Sequence, residues 1–115
     1  MELTNTYEDF KALNDQYIEY NMKLMESNFT SASDEEIIDK LTQDKILFET
    51  MKVKSDLIEV TEENRKDVLD LKYLIVDGLF LSIDLLNFYK LNEIERFKMR
   101  IVNYVRKQRV TEMFK

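Results

Sequence analysis

Apolar side chains return every three or four residues along most of this chain, the spacing of one face of an α-helix. Phe10, Leu13, Tyr17, Ile18, Leu24 and Met25 trace the first stripe. It lies on a helix predicted to start at Thr6 as cap and to run to about residue 26, with Asp9 at capping-box spacing and Glu8 near the positive end of the helix dipole. Residues 28–33, Asn-Phe-Thr-Ser-Ala-Ser, read as the clearest loop. Ser33 and Glu36 repeat the capping-box spacing, and Asp34 and Glu35 add charge at a second helix start. That helix carries Ile37, Ile38, Leu41, Leu47, Phe48, Met51 and Ile58, and so short a loop lays it antiparallel on the first.

Val60 marks a break, and Thr61 with Glu62 and Glu63 predicts a third start. Residues 72–91 read KYLIVDGLFLSIDLLNFYKL, an almost continuous apolar run. Asp77 and Asp84 argue against a membrane span, since each carboxylate costs about 2.5 kcal/mol or more at mid-bilayer. With Lys66, Asp70 and Asn87 they form a narrow polar stripe beside a wide apolar arc, as befits the central helix of a bundle. Asn92 and Glu95 resemble a fourth cap, and Ile94, Phe97, Ile101, Tyr104, Val105, Met113 and Phe114 carry the period to the end. Neither glycine nor proline marks the junction, so the spacing leaves open whether helices three and four are separate or one bent helix. The pattern predicts an all-α fold: an antiparallel bundle of about four long helices forming one domain over residues 1–115.

Composition narrows the chemistry. There is no proline and only one glycine among 115 residues, which favours long helices and rules out a glycine-rich phosphate loop. Cysteine and histidine are both absent, removing the thiolate nucleophile, the commonest general base and the usual ligands of first-row metals. Asp77 and Asp84 stand about 10.5 Å apart along a helix axis, so they read as a solvated stripe and not as a catalytic pair. The expectation is a non-enzymatic protein with no cofactor and no metal. The six methionines read as core filler. The acidic, polar start lacks the basic and apolar segments of a signal peptide, so an intracellular setting is expected, and the triplet Asn28-Phe29-Thr30 reads as a chance glycosylation match.

The net charge of −6 divides unevenly. Residues 1–95 hold 22 acidic and 10 basic side chains for −12, whereas residues 96–115 hold one acidic and seven basic for +6. The last helix is therefore the place to look for a partner surface, and its candidate residues are Arg96, Phe97, Arg100, Ile101, Tyr104, Val105, Arg106, Lys107 and Arg109. At about 100° per residue, Arg96, Arg100 and Lys107 fall on one side and Phe97, Ile101, Tyr104 and Val105 on another, which predicts aromatic core beneath a basic outer face.

Within this helix, residues 93–106 read EIERFKMRIVNYVR. Glu93, Glu95, Arg96, Lys98, Ile101, Tyr104, Val105 and Arg106 resemble, position by position, the conserved helix in the helical A domain of GINS subunits, the four-subunit replication complex of eukaryotes and its archaeal relatives. The resemblance stops after Arg106, and the small β domain that usually accompanies the A domain is not seen. It implies a scaffold that packs helix to helix with sister subunits and tethers the replicative helicase to the polymerase without catalysing anything.

The expected function is an interaction subunit, with helices three and four as its interface in a homo- or hetero-oligomer. It would work in the cytoplasm, or in the nucleus if the replication resemblance holds in a eukaryote, and without a membrane. Two alternatives use charge instead: a small nucleic-acid-binding factor acting through the basic helix, and a phage-type inhibitor whose acidic residues Asp34, Glu35, Glu36 and Asp39 mimic nucleic acid.

Overall fold

The computed structural model describes the backbone of residues 2–113 and the side chains of residues 2–108. Four helices account for nearly all of it: α1 (Glu2–Glu26), α2 (Asp34–Asp56), α3 (Arg65–Lys90) and α4 (Ile94–Met113). No strand occurs among the described residues, and none of these helices is long and apolar enough to cross a membrane.

The helix ends show which local signals governed folding. Ser33 caps α2 as its spacing predicts, its hydroxyl accepting from the Glu36 N–H at 3.2 Å while donating to the Glu36 carboxylate. Thr6 does not cap α1. The helix already begins at Glu2, and Thr6 is buried in line with Phe10, because a threonine one turn inside an amphipathic helix serves the core as well as it serves an end. Asp9 reaches instead to Lys54 on α2, at 2.7 Å. At α3 the start moves from Thr61 to Asn64. The two residues exchange bonds, the Thr61 N–H donating to Asn64 Oδ1 at 2.7 Å and the Asn64 N–H to Thr61 Oγ1 at 3.2 Å, so the predicted start sits one turn before the helix.

Helices α3 and α4 are separate, and Asn92 has a different role from the predicted cap. It adopts a left-handed backbone (φ 59°), the Asn92 N–H donates to the Tyr89 carbonyl at 3.0 Å and the Glu93 N–H donates to Phe88 at 2.8 Å. These two bonds make a Schellman ending for α3 with asparagine in the position usually held by glycine. Asn28 does the same for α1 (φ 53°), with Phe29 N–H donating to the Leu24 carbonyl at 2.7 Å. A chain almost without glycine thus stops α1 and α3 with asparagine, the side chain that best tolerates this conformation, while α2 ends on a right-handed Leu57. Replacing Asn92 with alanine should cost about 1 kcal/mol, and Asn92→Gly should cost nothing or stabilise slightly. Urea unfolding of both variants checks this, and an alanine variant as stable as the parent would refute it.

Ion pairs and hydrogen bonds fix an antiparallel arrangement. Asp9–Lys54 and the Lys40 ammonium 5.6 Å above the Tyr20 ring join α1 to α2. Asp56–Lys72 and the Tyr89 hydroxyl donating to Asp34 join α2 to α3, and Asp84–Arg100 at 2.8 Å joins α3 to α4. Helix α3 lies between α2 and α4, which make no close backbone approach to each other among the described residues, while α1 touches all three. The core therefore forms where α1 lies across the α2–α3–α4 layer.

At its centre is Phe48, fully buried and edge-on to Tyr17 (5.3 Å between ring centroids) and Phe10 (6.4 Å). Gly78 of α3 faces this ring so closely that a β-carbon there would lie 2.7 Å from Phe48 Cε1. The one glycine in the chain serves helix-to-helix approach and not a turn.

Candidate interaction surfaces

Helix α4 distributes its predicted partner residues over three environments. Phe97, Ile101 and Tyr104 are buried, as the helical wheel predicts for the aromatic side. Phe97 packs edge-on against Phe29 at 5.1 Å, and the Tyr104 hydroxyl donates to Asn14 Oδ1 at 2.7 Å. Asn14 in turn donates to Gln108 at 3.3 Å, so a partly buried polar chain ties α1 to α4. Arg100 and Lys107 form the second environment. They pair with Asp84 (2.8 Å) and Asp77 (3.2 Å) of α3, and the Lys107 ammonium also sits 5.3 Å above the Tyr73 ring. Arg96 and Arg106 are exposed and Val105 is half-buried, with Arg96 pairing to Glu93 at 3.5 Å. The side chain of Arg109 lies outside the described residues.

The charge asymmetry is therefore largely answered inside the fold. Asp77 and Asp84 stay partly exposed, as a solvated stripe should, and are also paired: their spacing of seven on α3 matches Arg100 and Lys107, also seven apart on α4, and two antiparallel helices bring both pairs together. These bridges are partly exposed, and each contributes at most about 1 kcal/mol, so their larger effect is on register. The hydrogen bond from Lys107 to Asp77 raises the lysine's pKa, so the ammonium holds its proton beyond the ordinary lysine range.

Beside this seam, α1, α3 and α4 border an open pocket of about 350 Å³, with Tyr7, Asp15, Asp70 and Tyr73 among its walls. Its mixed lining offers no histidine or cysteine. Among the described residues no group of three or more metal-ligating side chains comes together.

A second polar cluster sits between α1 and α2. Tyr17, Asn21 and Asp44 are buried to within 2 % of full coverage, and the Tyr17 hydroxyl, Asn21 Oδ1 and Asp44 Oδ2 have no protein hydrogen-bond partner among the described residues. Burial pushes the Asp44 carboxyl up despite Lys40 at 3.0 Å, and burial with the nearby Asp44 pushes the Tyr17 phenol well above its ordinary range.

An uncovered apolar row runs along α3. Leu69 (59 % exposed), Tyr73 (65 %) and Phe80 (55 %) recur at helical spacing with half-buried Val76 and Ile83 between and beyond them. The five span about 80° of the helix circumference. They lie opposite the arc of Leu71, Ile75, Gly78, Ser82 and Leu85 that faces the core. The wide apolar arc legible in the sequence is thus two faces, one buried and one open. An apolar sector wider than a single packing contact requires was the signal in the sequence for this second face.

The chain matches no protein-family model, no curated protein and no solved structure.

Proposed function

We propose that this protein is a non-enzymatic interaction subunit that meets its partner through the outer face of α3 and the exposed residues of neighbouring α4. The observation that carries this reading is the row of Leu69, Tyr73 and Phe80, each more than half exposed on the side of α3 opposite the core. Aromatic rings in an exposed row are what specific interfaces use as anchors, and Phe80 has no ring or cation contact within the chain among the described residues. The lack of histidine and cysteine supports a role without catalysis. The resemblance of residues 93–106 to GINS A domains supports a place in a DNA-replication assembly, with a protein as the partner.

Direct nucleic-acid binding is the weaker reading, because Arg100 and Lys107 are held by Asp84 and Asp77. Reversing those two cations would set like charges against the α3 carboxylates, so Arg96 and Arg106 are the positions at which to test it. The experiment is a photo-crosslinking amino acid placed at Phe80 in the native host, identification of the crosslinked chain, and reconstitution from purified components. A stoichiometric complex weakened at least about tenfold by Phe80→Glu, a loss of about 1.4 kcal/mol, is the expected result. No complex with any protein, together with salt-sensitive DNA binding lost in an Arg96→Glu/Arg106→Glu variant, would replace this reading with the nucleic-acid one.

A further inference from the structure

The outer face of α3 has a symmetry of its own. Counting outward from Val76, Leu69 and Ile83 are seven residues away in either direction, and Tyr73 and Phe80 are three and four away. A second α3 laid antiparallel across Val76 therefore meets Ile83 with Leu69 and Val76 with itself, and brings Phe80 within one residue, about 1.5 Å, of Tyr73, over about 21 Å of helix. Aromatic thus faces aromatic twice and aliphatic faces aliphatic three times, the self-complementarity that a twofold interface demands.

Charge follows the same axis. Lys66 is exposed and makes no ion pair among the described residues; it stands ten residues before Val76 and Asp84 eight after it, so the twofold sets them about 3 Å apart along the axis, within a lysine's reach of a carboxylate that gives only Oδ2 to Arg100. Lys66 and Asp84 lie on the same edge of the stripe, so antiparallel copies bring each lysine to the other's carboxylate. The topology also leaves room. With α2 and α4 on its flanks and α1 across the core side, the one open side of α3 is the stripe itself.

We propose that two copies of this chain pair through α3 against α3, antiparallel, on a twofold axis at Val76. This rests on the reading of the chain as an interaction subunit and names its partner as a second copy. One helix face is at the small end of specific interfaces, so the dimer dissociates in the micromolar range.

Sedimentation equilibrium of the full chain at tens to hundreds of micromolar tests the proposal, with twice the 13.9 kDa chain mass as the expected limit. Tyr73→Glu, which leaves Lys107 a partner, and Phe80→Lys, each at an exposed position, should separately shift the chain to monomer with helicity and thermal midpoint nearly unchanged. Combined in one chain they place opposite charges across both contacts, and association should return in part. Because the natural chain has no cysteine, Val76→Cys should oxidise to a covalent dimer while Val53→Cys on the exposed side of α2 should not. A monomer at the highest concentration, a dimer indifferent to both single charges, or equal crosslinking at residues 53 and 76 would overturn it. A monomer that still forms the Phe80-dependent complex with a different protein would overturn the dimer alone and leave the interaction-subunit reading in place.

Discussion

Truncating Phe48 to alanine should destabilise the fold by about 3–5 kcal/mol, because the ring is fully buried and its removal leaves a cavity among three helices. It is the contact point of three helices: Phe10 and Tyr17 of α1 meet it edge-on, and Gly78 of α3 lies beneath it. A domain of this size has about 5–15 kcal/mol in total, so the loss removes a large share of the margin. The partner substitution has a sign that depends on Phe48. Gly78→Ala gains about 1 kcal/mol of helix propensity, but its β-carbon would press within 2.7 Å of a ring that has no room to move, and overpacking of that kind costs about 1–3 kcal/mol. In the natural chain Gly78→Ala should therefore be destabilising, and in the Phe48→Ala background it should stabilise. A double-mutant cycle by urea unfolding reads this reversal directly. If Gly78→Ala stabilises both backgrounds equally, α2 and α3 do not approach as described.

The second large effect is alkaline. Tyr17 and Tyr104 have phenols raised above the ordinary value, in both cases first by burial and then by a nearby carboxylate, Asp44 for Tyr17 and Asp77 for Tyr104. Tyr89 is pushed up to about 12 by burial and by its bond to Asp34. A phenol whose folded pKa exceeds its unfolded value keeps its proton in the native state after the unfolded chain has released it. The stability it contributes is complete below about pH 10 and is lost as pH rises toward the folded values, at roughly 1.4 kcal/mol per pH unit for each such group. Tyr17 and Tyr104 together should therefore remove about 3 kcal/mol for each unit above pH 10. Helicity by circular dichroism and tyrosinate absorbance should change together between pH 10 and 12. Tyr17→Phe should flatten this dependence at little cost at pH 7, since its hydroxyl has no protein partner. Tyr104→Phe should flatten it too but cost about 1 kcal/mol at neutral pH, because Asn14 loses its donor. Full ionisation of all tyrosines near pH 10 with the helices intact would contradict the buried placement of both rings.

Both effects bear on the interface, since the core that Phe48 and Tyr104 maintain holds α3 with its outer stripe turned away from α1. The stripe itself contributes little to folding. Charges placed at Tyr73 or Phe80 should alter association and leave the unfolding midpoint almost unchanged, which separates the binding surface from the structural one.

The amino-acid order alone determined the four amphipathic stripes, the capping box at Ser33 and the division of α4 into an aromatic and a basic side. Each depends on residues three or four apart that a single helix brings together, so each is visible without knowing any neighbour. The sequence also contained the width of the apolar sector on α3, though not its division into a face for the core and a face left open. That depended on where α1 came to lie, as did the burial of Thr6. Asn92 ends α3 instead of starting α4 because backbone groups of the preceding turn capture its N–H and that of Glu93, and asparagine suits either role. Only the packed helices matched Arg100 and Lys107 to Asp84 and Asp77, since an ion pair between residues 16 and 30 positions apart has no local signature. The need of Phe48 for a neighbour without a side chain was equally invisible: a glycine inside a helix looks like a defect until the ring that occupies its space is known.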